Sequence, residues 1–201
     1  MSGDLRLVRV EAKLKEFFHD KITYDDLRKD ASAEDKANAE LTRNLAACAV
    51  NILTNADYDL CGKSITDGFK DNGIDAIYVD DQDKKLVLVQ SKWSKNATGS
   101  IEVGELHKFI SGAKKLTKFD FTDFNDRVIA KKNKIQESLA VIDNCIELEI
   151  IYSSDAKFSD ECETEMKTFL ESINQNDDNE IVKYRIIKLK EVYDFLAKGT
   201  A

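Results

Sequence analysis

The stretch that decides the fold reads DNGIDAIYV at 71–79, DDQDKK at 80–85 and LVLVQSKW at 86–93. Two apolar runs on either side of a polar segment predict two strands joined by a turn, a β-hairpin. Side chains two positions apart on a strand point to the same face, so Gln90 and Lys92 are expected to share one. Gln90 and Lys92 place polar side chains at the end of the most hydrophobic predicted strand of the sequence.

Asp75 lies at the start of the first apolar run, directly after a glycine turn. If the two runs pair, this carboxylate comes near Gln90 and Lys92. A carboxylate, an amide oxygen and an ammonium group on one face of a sheet suit a hard metal ion and a phosphate group. The sequence therefore indicates metal and phosphate chemistry at this end of the hairpin.

The composition is that of a globular protein. The chain has 201 residues, of which 42% are apolar and 34% charged, enough for one domain with a sizeable core. No apolar run approaches the roughly 18 residues of a membrane span, and the N-terminus lacks the core of a signal peptide. The cysteines are widely spaced, without a C-x-x-C pair, which favours reduced thiols and a cytoplasmic location.

The net charge of −8 argues against non-specific binding of nucleic acid by the whole surface. The charge is uneven, however, because residues 84–134 hold 12 Lys and Arg against 5 Asp and Glu. This basic window begins at the Gln90 strand and continues through the helix that follows. It is either a solvated face or a surface for a polyanion.

Periodicity predicts helices in the N-terminal third and an α/β order after it. A first amphipathic helix carries apolar residues from Leu5 to Phe18. A second starts at Ser32 as its N-cap, with a buried stripe of Leu41, Leu45, Cys48 and Ile52. Residues 55–73 are expected to be rich in turns, with a short strand near 64–66.

The remaining elements are two strands, two helices, and then a strand, a helix, a strand and a helix. We expect strands at 74–79, 86–92, 146–152 and 181–189, and helices at 102–118, 126–143, 160–173 and 191–196. Such an order predicts a mixed sheet flanked by helices, an α/β fold.

Three other patterns do not mark sites. Gly62-Lys63-Ser64 lacks the first glycine of a phosphate-binding loop, since position 57 is Asp. The acidic cluster at 80–83 lacks the central glycine and distal Glu of a calcium loop, so a hairpin turn is expected. His19 and His107 have no partner at ligand spacing, which favours surface or helix-packing roles.

The segments SITDGFKDNGIDAIY at 64–78 and LVQSKW at 88–93 resemble the PD-(D/E)xK nuclease superfamily. They are similar to the branch, including Mrr-like restriction endonucleases, in which Gln replaces the usual strand Glu. They also resemble the N-terminal domain of abortive-infection phage-resistance (AIPR) proteins. The resemblance implies a single restriction-endonuclease-like domain at 1–201, with a helical extension at 1–31, a nuclease core at 32–152 and an added helix-strand-helix at 153–201.

The resemblance also implies a Mg²⁺ or Mn²⁺ site. Asp75 would be the anionic ligand, the Gln90 amide oxygen a neutral one and the Ser91 backbone carbonyl a third. Lys92 would position or deprotonate the attacking water, or stabilise charge in the transition state.

Gln90 in place of Glu removes one negative charge from the site. In the superfamily a Glu of the first core helix often contributes, which makes Glu40 the candidate here and Glu34 almost as good a one. Asp71 is expected to support the site from behind, and Asp67 to shape the turn.

The implied partner is DNA, with RNA left open. Lys95, Lys108, Lys114 and Lys115 either track the phosphate backbone or form the wet face of a helix. The resemblance further implies a role in phage defence, pairing of two copies to cut two strands, and a C-terminal region beyond this chain. The alternative is a catalytically inactive domain of the same fold that binds nucleic acid or another protein.

Overall fold

The centre of the protein is a four-stranded sheet in the order β1-β2-β3-β4. The computed structural model describes residues 4–175 and 180–199. Strand β1 (Ala76–Asp80) runs antiparallel to β2 (Lys85–Lys92), while β3 (Cys145–Tyr152) and β4 (Val182–Ile187) continue the sheet in parallel. The predicted hairpin and mixed sheet are confirmed.

Helices cover both faces of the sheet. One face carries four helices, α1 (Leu5–Phe18), α2 (Ala33–Thr54), α3 (Tyr58–Lys63) and α8 (Leu189–Lys198), with a 3₁₀ turn at His19–Lys21. The other face carries α4 (Val103–Thr117), α5 (Asp126–Ile129), α6 (Lys132–Leu139) and α7 (Asp160–Asn174). In the described part of the chain, no helix is both long enough and apolar enough to cross a membrane.

Strand β2 is apolar at consecutive positions because it is buried on both faces. Val87 and Val89 pack in the core beneath α2, whereas Leu86 and Leu88 pack in the core beneath α4. This alternation fixes the direction of the side chains that follow. Ser91 lies on the α2 side, and Gln90 lies on the α4 side.

Helix α2 begins where the sequence predicts. The Ser32 hydroxyl oxygen accepts the backbone N–H of Asp35 at 3.0 Å, which caps the first turn. Leu41, Leu45 and Cys48 are buried as expected, and Ile52 is partly buried.

Three expectations about local structure are wrong. The segment at 126–143 is not one helix, because the chain turns at Ala130 and Lys131 and the second helix ends at Leu139. The turn-rich segment at 55–73 contains α3, which Asp57 caps by accepting the N–H of Leu60 at 2.8 Å. A single β-bridge from Ile65 to Ala76 takes the place of the short strand.

Glu149 is a buried acid in the middle of β3. Its side chain is 1% exposed, and its Oε2 atom has no hydrogen-bond partner among the described residues. Burial raises the pKa of Glu149 to about 8, and nearby Arg185 offsets only part of that effect. The folded protein therefore keeps a proton on Glu149 that the unfolded chain releases near its ordinary value of 4.5.

We expect Glu149 to make stability depend on pH. Because the folded-state pKa is raised, the stability that this group contributes is complete below about pH 4.5, falls as the pH rises, and levels off above about 8. Glu149→Gln should thus gain stability over the wild type at pH 8.5 but not at pH 4.5. Urea denaturation at both pH values measures the difference. Glu137→Gln, at an exposed position of α6, is the control and should show no such trend.

Candidate active site

The loop at 67–75 joins the α3 side of the protein to β1, and it is held close to α4. Asn72 and Gly73 both adopt left-handed backbone conformations, with φ of 55° and 77°. A Cβ atom on Gly73 would lie 2.7 Å from the backbone N of Phe109, so only glycine permits this approach. We call residues 67–75 the acidic loop.

Three carboxylates of the acidic loop meet. One oxygen from each of Asp67, Asp71 and Asp75 lies within 4.8 Å of the other two. Asp71 shapes the loop, because its Oδ2 accepts the N–H of Gly68 at 3.0 Å and its Oδ1 accepts the N–H of Gly73 at 2.7 Å. The sequence had assigned Asp67 and Asp71 only supporting roles.

Asp75 is fixed to β2 through both its backbone and its side chain. Its N–H donates to the carbonyl of Val89 at 2.7 Å, and its Oδ2 accepts the N–H of Ser91 at 2.6 Å. The Ser91 hydroxyl lies 3.4 Å from the same oxygen. Within residues 4–175 and 180–199 no hydrogen-bond donor contacts Oδ1, so this oxygen remains for a ligand.

A buried arginine network holds the acidic loop from behind. Arg43, on α2, is 1% exposed. It contacts Asp67 Oδ2 through Nε at 2.6 Å and binds both oxygens of Asp26 at 2.8 and 2.7 Å. Arg127 joins the network by donating to Asp26 at 2.8 Å and to the Asp67 carbonyl at 2.5 Å. Hydrogen bonds from Arg43 are the main reason that the pKa of Asp26 falls to about 2.

The network leaves two carboxylates of the cluster without a cation. Two arginines balance Asp26 and Asp67, whereas neither Asp71 nor Asp75 forms an ion pair in the described part of the chain. Burial, with the neighbouring Asp67 charge, raises the pKa of Asp75 well above its ordinary value, and burial also raises the pKa of Asp71. A bound cation would relieve this cost.

Gln90 and Lys92 both contact Glu105 of α4. The Gln90 amide donates through Nε2 to the Glu105 carbonyl at 2.9 Å, and Lys92 Nζ lies 2.8 Å from Glu105 Oε2. The same Oε2 accepts the N–H of Glu102 at 2.8 Å, closing the capping box of α4. Glu102 Oε1 lies 3.6 Å from Lys92 Nζ, so the lysine sits between two carboxylates.

The oxygen of the Gln90 side-chain amide is left unsatisfied by the described residues. With Nε2 directed at α4, the Gln90 Oε1 atom is buried and has no hydrogen-bond partner among the described residues. Ala76 pairs with Val89, so Asp75 and Gln90 are the next residues along the two strands. Carboxylate and amide oxygens are the hard donors that Mg²⁺ and Mn²⁺ prefer. The residues present therefore fit a divalent cation.

A comparison with models of known protein families shows the family to which the chain belongs. A family model described as a restriction endonuclease, Mrr_cat, matches residues 38–143, more than half of the chain. The chain belongs to the Mrr_cat restriction endonuclease family. No curated protein and no solved structure is significantly similar to it.

The Mrr_cat match covers α2 from residue 38 onward, the acidic loop, the hairpin and α4. It bears out the resemblance to PD-(D/E)xK nucleases and the restriction-endonuclease-like fold, and domains of this kind typically use a divalent metal ion. The finer likeness to AIPR proteins stays a prediction.

The other predicted site residues lie on β2, on α2 and at the surface. The Ser91 hydroxyl donates to the Thr42 carbonyl of α2 at 2.8 Å, which ties β2 to that helix. Glu40 is half-buried on α2, where its charge acts on Tyr24, and it lies outside the cluster of three carboxylates. Glu34 forms an ion pair with Lys95 on the surface. The roles of Glu40 and Ser91 stay predictions.

The lysines expected to bind nucleic acid differ in their local contacts. Lys108 is exposed beside the Gly73 turn, and Lys115 lies two helical turns further along the same face of α4. Lys114 instead lies over the ring of Phe169 on α7. Their contact with a phosphate backbone stays a prediction.

Sequence reasoning missed Glu105 and Arg43. Glu102 and Glu105 have the spacing of a capping box, a signal for a helix start that does not reveal the contact with Lys92. Arg43 sits next to the apolar stripe of α2, and its partners lie 17 and 24 residues away in sequence. Only the folded chain brings these groups together.

We expect Arg43→Met to lower the free energy of unfolding of the protein strongly. The substitution leaves the carboxylates of Asp26 and Asp67 without their buried cation, which should cost on the order of 3–5 kcal/mol. Arg28→Met is the matched control, because Arg28 pairs with Asp30 on an exposed surface and its replacement should change stability little. Chemical denaturation measures both, and equal losses would show that the network does not hold the acidic loop.

We expect Gln90→Glu to tighten the binding of Mn²⁺ about tenfold, because a carboxylate replaces the neutral amide oxygen. The metal-free variant should melt at a lower temperature than the wild type, since the added charge is buried and the hydrogen bond to Glu105 is lost. Calorimetric titration with Mn²⁺ and melting curves with and without the ion measure both effects. Gln82→Glu, in the exposed hairpin turn, is the control. Unchanged affinity in Gln90→Glu would exclude position 90 as a ligand.

Proposed function

We propose that the protein is a Mg²⁺- or Mn²⁺-dependent endonuclease that hydrolyses phosphodiester bonds of DNA. The observation that carries the proposal is that three features lie together at one end of the hairpin. These are the cluster around Asp75, the orphan Gln90 Oε1 and the Lys92 ammonium group. They lie inside the segment that matches a restriction endonuclease family.

In this proposal Asp75 and Gln90 hold the divalent ion, with the Ser91 carbonyl as a further oxygen. The ion would polarise a phosphoryl oxygen and lower the pKa of a bound water. Asp75 is ready for this role because the Ser91 N–H already fixes its Oδ2, which leaves Oδ1 directed elsewhere. Arg43 keeps the neighbouring Asp67 in place without supplying charge to Asp75.

Lys92 acts on the phosphate or on the attacking water. Its ammonium group has three donors, of which one binds Glu105 Oε2 at 2.8 Å and one can face Glu102 Oε1, which lies at 3.6 Å, beyond hydrogen-bonding distance. The third can hold a water molecule or a phosphate oxygen where negative charge develops. Glu105 orients both strand residues, since it also accepts the hydrogen bond from Gln90.

The domain organisation and the biological role of the protein are also proposals. Helices α1 and α8 share one core, with Leu14 and Val192 both buried in it, which supports a single domain over the whole chain. We further propose, from the resemblance to AIPR proteins, a cytoplasmic role in phage defence. Pairing of two copies, and a recognition region beyond this chain, would then supply double-strand cutting and choice of target.

A second candidate function is a domain that binds nucleic acid without cutting it. The ion pairs of Lys92 with Glu105 and Glu102 favour it, because they partly neutralise the charge that a catalytic lysine offers to phosphate. Gln90 in place of Glu favours it as well, since the site has one ligand charge fewer.

Cleavage of supercoiled plasmid with Mg²⁺ or Mn²⁺ separates the two functions. We expect cutting by the wild type, and its loss by about 10²-fold or more in Asp75→Asn and in Lys92→Met. Lys92→Met should melt near the wild type, because its ion pair is partly exposed and contributes about 1 kcal/mol or less.

Lys167→Met on α7 is the control, because it removes an equivalent lysine that pairs with Glu163 away from the site. Metal-dependent cutting that survives in Asp75→Asn would place the active site elsewhere. Duplex binding without any cutting, by folded wild-type protein, would favour the non-catalytic function.

A further inference from the structure

Two adjoining depressions beside the acidic loop are lined by cations. They share Lys63 and Lys131, and together they contain five Lys and Arg residues and no acid among their described lining residues. We call this surface the cationic groove and define it by Lys21, Lys63, Arg127, Lys131 and Lys134. It is a local excess of positive charge on a chain whose net charge is −8.

The centre of the cationic groove holds positive charges that the described residues do not balance. Lys131 Nζ donates to the carbonyl of Lys63 at 2.7 Å, and neither lysine forms an ion pair within the described ranges. Burial lowers the pKa of Lys131, and the nearby charge of Lys134 adds to this effect. An anion bound here would remove the repulsion.

The outer cations of the groove have acidic neighbours, and these pairs are weak. Lys134 lies 3.4 Å from Asp81 with both side chains well exposed, and Lys21 lies 3.3 Å from exposed Asp59. Exposed pairs of this kind contribute little to stability, so a phosphate group can compete for these lysines. Arg127 is shared with Asp26 in the network described above.

The cationic groove is joined to the acidic loop by α5. The Arg127 guanidinium donates to the Asp67 carbonyl, and the Asn125 side chain donates to the Thr66 carbonyl at 2.8 Å. The N–H of Asn125 also donates to the carbonyl of Lys70 at 3.0 Å. The cationic groove therefore adjoins the acidic loop through Arg127, which lines the groove and contacts Asp67.

We propose that the cationic groove binds the phosphate backbone of duplex DNA next to the cleavage site, an inference that rests on the proposed function. Arg127, Lys131 and Lys134 come from α5, α6 and the turn between them, whereas Lys63 and Lys21 approach from the opposite wall. Contacts to phosphate carry no sequence information, so the groove supplies affinity and register. It thereby lets an acidic protein hold a polyanion.

The test removes two exposed lysines of the groove together, in Lys63→Ala/Lys134→Ala. Binding of a short fluorescein-labelled DNA duplex is followed by fluorescence anisotropy, with EDTA present so that no strand is cut. Affinity should fall roughly tenfold for unrelated sequences alike, and the slope of log affinity against log salt should shrink by about two. Melting curves should match the wild type, since neither side chain is part of the core.

The matched control is Lys167→Ala/Lys183→Ala, which makes the same change in net charge on α7 and β4 at similarly exposed positions. It should bind as the wild type does. Equal affinity of the groove variant and this control would overturn the proposal. So would a wild type that binds no duplex, or unlabelled RNA that competes better than unlabelled DNA.

Cleavage is measured separately, so that the two proposals fail in different ways. Wild-type protein that binds through the groove but cuts no DNA with Mg²⁺ or Mn²⁺ contradicts the nuclease and supports the groove. Wild-type protein that cuts, together with a groove variant that keeps full affinity and salt slope, contradicts the groove alone. In that case Lys108→Ala/Lys115→Ala becomes the variant to compare.

Discussion

The hydrogen bonds of Asp75 join three segments at the centre of the molecule. Its N–H bonds to Val89, its carbonyl accepts the N–H groups of Thr66 and Asp67 at 2.8 and 3.0 Å, and its carboxylate accepts the N–H of Ser91. One residue thereby joins the acidic loop, the end of β1 and the end of β2. The group proposed to bind the metal is thus the group that aligns the hairpin with its loop.

This arrangement buries negative charge, which is energetically unfavourable. Arg43 and Arg127 neutralise the acids behind the loop, and no cation among the described residues pairs with the two carboxylates in front. A protein that needed only a stable turn could place a hydroxyl or an amide at Asp75. A buried carboxylate beside other carboxylates is a typical way to prepare a cation site.

Helix α4 connects the two halves of the proposed chemistry. Its first turn fixes Gln90 through the Glu105 carbonyl and Lys92 through the Glu105 carboxylate. Its middle accepts the Gly73 turn, because Gly112 leaves room for the carbonyl of Asn72, which a Cβ atom would approach to 2.6 Å. A shift of α4 would therefore move the strand residues and the acidic loop together.

The sequence by itself determined the hairpin, the mixed sheet, the capped helix α2 and the common face of Gln90 and Lys92, because strand alternation and helix periodicity are local properties. It did not reveal the break between α5 and α6 or the short helix α3, whose few residues carry too little periodicity. Only the tertiary structure decided that Asp67 and Asp71 join Asp75, that Glu105 meets Lys92, and that Lys63 faces Lys131. Asp67, Asp71 and Asp75 are close in sequence, but their carboxylates meet only in the loop conformation that Arg43 and Gly73 hold. The other two contacts join residues 13 and 68 positions apart, which local sequence patterns do not bring together.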